Sequence, residues 1–151
     1  MLSLQEISDR LEIQELLVRY CHAVDTRDWD LLDQVFTPDA TIDYTAFGGP
    51  RGDFASTRAF LESSMPYFSS TQHLITNIVL EIDGDEARSR TSCFNPMVID
   101  REDGSEPHVF FCGLWYRDRL VRMEQGWRIT DRRQERSYMF NTPPEILAAS
   151  T

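Results

Sequence analysis

The stretch Tyr20–Asp30, which reads YCHAVDTRDWD, decides the fold because an amphipathic helix ends within it. Apolar residues recur before it at helical spacing, so one face of the helix covers a core. At about 100° per residue, Tyr20 lies in the apolar face, Asp25 lies at its margin and His22 points nearly opposite. The pattern predicts that Asp25 meets the protein interior and that His22 meets solvent.

Helix signals extend on both sides of this stretch. Ser3-Leu4-Gln5-Glu6 is a capping box, which predicts the start of the first helix. Asp28 is predicted to cap a second, short helix over 29–36, and Thr37-Pro38-Asp39 is predicted to end it. A third helix is predicted from about 55 to 64. The N-terminal part of the chain should therefore contain three helices.

The apolar period changes from 3.6 to 2 after the third helix, which predicts strands. A hairpin turn is predicted at Asp83-Gly84-Asp85. The predicted strands span 40–44, 73–82, 87–98, 107–121 and 127–138. Helices followed by strands predict an α+β domain in which a curved, mostly antiparallel sheet wraps around the helices.

Length and charge limit the classes of protein that fit. A chain of 151 residues with 41% hydrophobic residues can bury one good core, so we expect one domain over 1–151. The formal net charge of -10 argues against a nucleic-acid partner. No segment approaches the roughly 18 apolar residues that span a bilayer. We therefore expect a cytoplasmic protein without a membrane partner.

Cysteine and histidine spacing gives no metal or disulfide signature. The cysteines are odd in number and lack CxxC spacing, which indicates core residues in a reducing compartment: Cys21, Cys93 and Cys112. The histidines lie on separate predicted elements without an HxH or HxxxH pair: His22, His73 and His108. We expect no metal and no cofactor.

His73 is the best candidate for a chemical partner of Asp25, because it leads into an otherwise apolar strand. A carboxylate on one ring nitrogen fixes the tautomer of an imidazole and stabilises the imidazolium, which leaves the other nitrogen free to accept a proton. The residues alone leave an alternative open, in which His73 is a structural histidine bonded to backbone and Asp25 is an ordinary helix-end acid.

Further polar residues are candidates for the same cavity. Tyr20 lies about one helical turn before Asp25 and is placed to donate a proton to a developing oxyanion or a leaving group. Arg132 and Arg136 share one side of the last strand, where an arginine could hold an anion. Other candidates for lining the cavity are Tyr44, Asn95 and Met97.

Several motifs together resemble the SnoaL-like branch of the nuclear transport factor 2-like superfamily. They are Val24–Asp30, Ala40–Tyr44, Thr71-Gln72-His73 and Gly126–Ile129, and the likeness covers nearly the whole chain. The resemblance implies a cone-shaped α+β fold with an internal cavity. Its informative members are scytalone dehydratase, bile-acid 7α-dehydratase and hexachlorocyclohexane dehydrochlorinase.

The resemblance implies roles for particular residues. The dehydrochlorinase likeness places a catalytic pair on Asp25 and His73, and the scytalone dehydratase likeness makes Tyr44 a proton donor or a water-holding residue. The bile-acid dehydratase likeness implies cavity roles for Tyr20, Asn95 and Arg136. The chain departs from these enzymes at positions that give it a more apolar cavity, namely Asn95, Met97, Phe110 and Cys112.

These implications lead to an expected function. We expect a cofactor-independent lyase that abstracts a carbon-bound proton from a small hydrophobic cyclic molecule. The alternatives are an isomerase of the ketosteroid type, a polyketide cyclase, and a non-catalytic binding protein or dioxygenase β-subunit. Two-sided apolar strands carrying Phe111 and Trp115 predict a homodimer or homotrimer through the outer sheet face.

Overall fold

Three α-helices and a seven-stranded sheet form the architecture, which a computed structural model describes over residues 1–149. The helices are α1 (Leu4–Thr26), α2 (Phe54–Ser64) and α3 (Pro144–Ala149). The strands are β1 (Phe36–Asp43), β2 (Arg51–Asp53), β3 (Ser70–Thr71), β4 (Leu74–Asp83), β5 (Glu86–Ile99), β6 (His108–Met123) and β7 (Gly126–Phe140). Short 3-10 helices cover Trp29–Gln34, Thr45–Phe47 and Met65–Tyr67. The expectation of one domain over 1–151 includes Ser150 and Thr151, which lie outside the described residues.

The strand order is β2-β1-β7-β6-β5, and both β3 and β4 pair with β5. All pairings are antiparallel except that of β1 with β7, which is parallel. The α+β class and the curved sheet are confirmed. The parallel pair and the C-terminal helix α3 were not predicted, because neither produces a local periodic signal.

Helix α1 begins and ends at side-chain and backbone caps. Ser3 Oγ accepts the Glu6 N–H at 3.1 Å, which confirms the predicted N-cap. At the other end Arg27 adopts a left-handed conformation with φ 59°, and Asp28 N–H donates to Ala23 O at 2.9 Å. Among the described residues no helix is long and apolar enough to cross a membrane.

The predicted cap at Asp28 is wrong, because its side chain makes no capping hydrogen bond. The backbone of Asp28 instead completes the C-terminal cap of α1, and the segment that follows is a 3-10 helix over Trp29–Gln34 rather than a helix to residue 36. The first strand is also longer than predicted, since β1 runs through Thr37-Pro38-Asp39. Its pairing with β7 is irregular between Phe36 and Thr41, so Pro38 is placed where a missing N–H costs little.

The core lies between α1 and the inner face of the sheet. Tyr20 on α1 packs edge-to-face on Tyr116 of β6 and Phe36 of β1, with ring centroids 5.6 and 5.9 Å apart. Along β5 the inward positions are buried, as the period of 2 predicts: Ala87, Ser89, Thr91, Cys93 and Asn95. This face carries polar groups into the core, and one of them, Asn95, belongs to the site described below.

The outer face of the sheet carries a row of aromatic rings on three neighbouring strands. Phe94, Phe111 and Phe140 stand side by side with centroids 5.4 and 6.2 Å apart. Phe94 is 38% exposed and Phe140 is 64% exposed. The ring of Tyr138 lies over Gly113, where an added Cβ would come within 2.1 Å of it. We call Phe94, Phe111, Tyr138 and Phe140 the outer aromatic patch.

A buried carboxylate joins α1 to the sheet near the start of the helix. The Asp9 side chain is 3% exposed and accepts hydrogen bonds from both terminal nitrogens of Arg122. It also accepts Trp127 Nε1–H at 3.2 Å and Gln5 Nε2–H at 3.1 Å. Arg122 reaches Asp85 as well, at 2.9 Å. These bonds tie α1 to the β4–β5 turn and to the β6–β7 hairpin.

Replacing Asp9 by Asn should lower the free energy of unfolding at pH 7 by about 2 kcal/mol, because Arg122 loses its buried counter-charge. The Arg122 hydrogen bonds hold the pKa of Asp9 below its ordinary value. Its stabilising effect is therefore complete above the unfolded-state pKa of about 3.9 and is lost as pH falls through the lower folded pKa. Urea unfolding at pH 7 and pH 3 checks this, since the difference between wild type and variant should shrink in acid. Glu62→Gln, in an exposed ion pair with Arg58, is the control and should change stability by about 0.5 kcal/mol or less.

Candidate active site

Asp25 and His73 form a close pair at the inner end of α1. His73 Nδ1 lies 2.6 Å from Asp25 Oδ1, and the backbone N–H of His73 donates to Asp25 Oδ2 at 2.8 Å. The His73 side chain is 6% exposed and that of Asp25 is 21% exposed. The carboxylate thus holds both the ring and the backbone of the histidine.

The local backbone explains how Asp25 comes to this position. Helix α1 ends at the left-handed residue Arg27, two residues after Asp25, so the carboxylate projects from the last turn. The Arg27 guanidinium donates to the backbone oxygens of Phe68 and Met65. Thr71 Oγ1 donates to Asp25 Oδ1 at 3.0 Å. The end of the helix is therefore fastened to the segment that leads into β3.

Electrostatics keep Asp25 ionised. Burial by itself would raise the pKa of this carboxyl. The hydrogen bonds and the charge of His73, together with the Thr71 hydroxyl, outweigh the burial and hold the pKa of Asp25 below its ordinary value. An ionised carboxylate against Nδ1 favours the tautomer that carries its proton there.

The second ring nitrogen of His73 meets Asn95 of β5. Nε2 lies 3.2 Å from the Asn95 amide. One orientation of the Asn95 amide gives both its nitrogen and its oxygen a hydrogen-bond partner. In that orientation the Asn95 nitrogen donates to Gln72 O at 3.1 Å and to Pro96 O at 3.2 Å, and the Asn95 oxygen faces His73 Nε2. A protonated ring then has an acceptor on each N–H, Asp25 on one side and Asn95 on the other. Each ring nitrogen of His73 therefore has an oxygen atom within hydrogen-bonding distance.

Two buried tyrosines place their hydroxyls together in the same cavity. Tyr20 Oη and Tyr44 Oη are 2.6 Å apart, and the side chains are 2% and 4% exposed. Burial raises the pKa of both phenols, although the nearby Arg132 charge acts in the opposite direction. Both hydroxyls therefore keep their protons at neutral pH. One of them can donate to the other while the second donates to a ligand oxygen.

A pocket of about 370 Å³ opens beside these groups. Aromatic and methionine side chains form much of its wall, including Phe60, Phe68 and Met139, and Ile146 of α3 closes one side. Among the described residues that line it there is no Asp, Glu, Lys or Arg. The Cys112 thiol contributes to the wall, and burial raises its pKa to about 11. The pocket suits an uncharged ligand of small to moderate size.

The structure brings most of the sequence-predicted residues to this pocket. Its lining includes Tyr20, Tyr44, His73, Asn95, Met97, Phe110 and Cys112. Asp25 lies behind His73 and reaches the cavity through that ring. Arg132 is buried against the ring of Tyr20, and Arg136 is exposed on β7, so neither contributes to the lining. His22 is exposed, as the helical pattern predicts.

Sequence reasoning missed two sets of supporting residues. Thr71 belongs to the Thr71-Gln72-His73 motif, but the sequence did not indicate that its hydroxyl donates a hydrogen bond to Asp25. Asp118 binds Arg132 through two bonds of 2.8 Å. Asp118 occupies an inward position of β6 between Tyr116 and Leu120, and a charged residue at an inward position is a signal that a buried partner is required.

In the part of the chain that the structure describes, no group of three or more His, Cys, Asp or Glu side chains is placed to hold a metal ion. The polar groups of the pocket are an imidazole, two amides, hydroxyls and a thiol. Such groups can move a proton and hold an oxygen, which suits acid–base chemistry on a bound molecule.

A curved, mixed sheet wrapped over helices around an internal pocket defines the nuclear transport factor 2-like class. The family model described as a SnoaL-like domain matches residues 5–133. The chain belongs to this SnoaL-like family, as the sequence motifs predicted.

Individual proteins show the same relationship. A curated relative from Mycobacterium tuberculosis, an uncharacterized protein, is 51% identical over 132 residues, which are 87% of this chain and 88% of the relative. The crystal structure of a protein from Kribbella flavida has a TM-score of 0.82 and 30% identity, covering 95% of this chain and 98% of that chain. The structure of a hexachlorocyclohexane dehydrochlorinase has a TM-score of 0.78 at 19% identity, covering 93% and 97%. This last likeness concerns the fold.

Proposed function

We propose that this protein is a cofactor-independent lyase that removes a carbon-bound proton from a small, neutral, hydrophobic molecule and expels a β leaving group. The observation that carries the proposal is the contact of 2.6 Å between Asp25 and His73 at the wall of an apolar pocket. An elimination is also the reaction named for the dehydrochlorinase that shares the fold.

His73 is the base in this proposal. With its Nδ1 proton held by Asp25, the ring has its second nitrogen unprotonated and able to take a proton from carbon. The imidazolium that forms is stabilised by the Asp25 carboxylate on one side and by the Asn95 oxygen on the other. Asp25 therefore acts by orienting the ring and by balancing its charge, while the proton stays on His73.

Tyr20 and Tyr44 supply the site for a substrate oxygen. Removing a proton next to a carbonyl group places negative charge on the carbonyl oxygen, and a donor that is already in place lowers the energy of that charge. The paired hydroxyls, 2.6 Å apart, provide such donors from within a buried environment. The leaving group then departs from the β carbon, either as halide or, when it is a hydroxyl, as water that carries the proton which His73 removed from the α carbon.

The pocket limits the substrate. Its volume of about 370 Å³ accommodates one or two rings, and its aromatic wall favours apolar rings. Since no charged group among the described lining residues balances a carboxylate or a phosphate, the proposed substrate is neutral. A cyclic ketone with a β-hydroxyl or a β-halide fits all of these conditions.

The test uses a panel of such ketones in D₂O, followed by NMR. Deuterium at the α carbon reports proton abstraction, and a new alkene with loss of the substituent reports elimination. A double bond that moves without loss of a substituent would assign the isomerase reaction instead. Panel members that bind in the pocket without deuterium uptake or turnover would contradict the enzyme proposal and favour a binding protein.

The outer aromatic patch predicts that the protein is a homodimer or homotrimer in which a second copy covers this face. Phe140→Asp should weaken association at least about tenfold, because a charge would be buried against the partner. Light scattering at micromolar concentration measures this. Val18→Asp, on the exposed side of α1, is the matched control and should leave the oligomer unchanged. A wild-type monomer under these conditions would refute the prediction.

A further inference from the structure

We infer that the buried Asp118–Arg132 pair supports the oxygen site, with Arg132 as a positioning residue that holds positive charge against the ring of Tyr20, whose hydroxyl pairs with that of Tyr44. This inference rests on the proposed function, because it assumes that the two phenols bind a substrate oxygen. Arg132 itself does not line the pocket, so it acts through the tyrosines.

The contacts of Arg132 place its charge against aromatic rings. Its guanidinium carbon lies 4.1 Å from the ring centroid of Tyr20 and 4.2 Å from that of Tyr116. Nε and Nη2 each donate to an Asp118 oxygen at 2.8 Å, and the side chains of Arg132 and Asp118 are 1% and 0% exposed. The guanidinium is thus held between two phenol rings with water excluded.

Stability alone does not account for an ion pair in this position. Removing two charges from water costs several kcal/mol per ion, and well-packed apolar residues often replace such a pair without loss of stability. The cost here is not fully compensated, because Arg132 Nη1 has no hydrogen-bond partner within residues 1–149. A role in the site explains why charge is kept at this depth.

The pair is oriented so that its positive end meets the phenols. Arg132 contacts the ring of Tyr20, whereas the hydrogen bonds of Asp118 within the described chain go to Arg132. Burial raises the pKa of Tyr20, and the Arg132 charge lowers it in part. Burial also raises the pKa of Tyr44, the Arg132 charge lowers it, and the Asp118 charge raises it. Both phenols therefore become better donors than burial alone would leave them.

This support acts in proportion to the negative charge on the bound oxygen. A neutral carbonyl gains little from it, whereas an enolate oxygen gains more, since the field of a buried charge is only weakly screened. The pair should therefore favour the charged state that follows proton abstraction over the bound substrate. That difference can be measured with ligands that carry graded charge on one oxygen.

The experiment measures the binding of substituted 2-naphthols of equal size and increasing acidity by fluorescence. Wild type should bind the more acidic naphthols more tightly. In Arg132→Met/Asp118→Leu the affinity for the most acidic probe should fall about tenfold, with a change of about twofold or less for the least acidic one. An unchanged dependence on acidity in the folded double variant, checked by thermal melting, would overturn the inference.

Two further variants keep the outcome interpretable. Asp118→Asn retains the shape of the carboxylate and removes its negative charge, so it should strengthen binding of the acidic naphthols. Weaker or unchanged binding in Asp118→Asn would overturn the inference, even if the double variant does not fold. Tyr20→Phe tests the oxygen site itself. If Tyr20→Phe leaves naphthol affinity unchanged, the oxygen site of the proposed function fails. If Tyr20→Phe weakens naphthol binding but the variants of Asp118 and Arg132 show the same dependence of affinity on acidity as wild type, the inference fails and the proposed oxygen site stands.

Discussion

His73→Ala should lower the rate of α-proton exchange and of elimination by about 10³-fold, which is within the range that a positioned general base contributes. The variant removes the only imidazole in the described pocket lining, and the other polar groups there are weaker bases. Asp25 keeps its bonds to Thr71 and to the backbone N–H of residue 73, so the fold should persist. Exchange in D₂O and circular dichroism measure the two effects separately.

A matched histidine provides the control for this prediction. His22 is exposed on α1 and lies outside the pocket lining, so His22→Ala should keep its exchange rate within about twofold of wild type. Near-wild-type exchange in His73→Ala on a ketone that the wild type turns over would remove His73 as the base. It would leave the fold and the pocket as described.

Arg132→Met should lower the free energy of unfolding by about 3–5 kcal/mol, because Asp118 would remain buried without its counter-charge. The double variant Arg132→Met/Asp118→Leu should recover most of that loss, since both charges are then absent. Urea unfolding of wild type, Arg132→Met, Asp118→Leu and the double variant forms a complete double-mutant cycle. Equal destabilisation in the single and the double variant would show that packing of the arginine, rather than its charge, is what matters at this position.

Helices α1 and α2 and most strands could be predicted because they have local signals. The Ser3 cap follows from short-range chemistry and was confirmed, and the alternation of buried positions along β5 follows the period of a strand. The extent of β1 was not predictable, because Pro38 indicates the end of an element unless the irregular pairing with β7 is known. Asp28 failed as a cap for a similar reason, since its backbone N–H was already engaged by α1. These misses depend on partners that are distant in sequence or on another element.

The site was predictable only in part. The pattern of α1 placed Asp25 at the margin of the apolar face and His22 nearly opposite, but the pairing of Asp25 with His73 rested mainly on family resemblance, because 48 positions separate the two residues in sequence. The Asp118–Arg132 pair required the inward register of β6 and β7 to be combined with the rule that buried charges are paired. A bulge between β6 and β7 obscures that register in the sequence.

The Arg27 bridge gives the pocket a mechanical property. The residue that ends α1 holds two backbone oxygens of the segment 65–68, and that segment supplies Met65, Tyr67 and Phe68 to the pocket wall. A molecule that pushes this wall outward pulls on the helix end two residues beyond Asp25. Occupancy of the pocket and alignment of the carboxylate are therefore linked through one side chain, so that a ligand too large for the wall would also disturb the contact between Asp25 and His73.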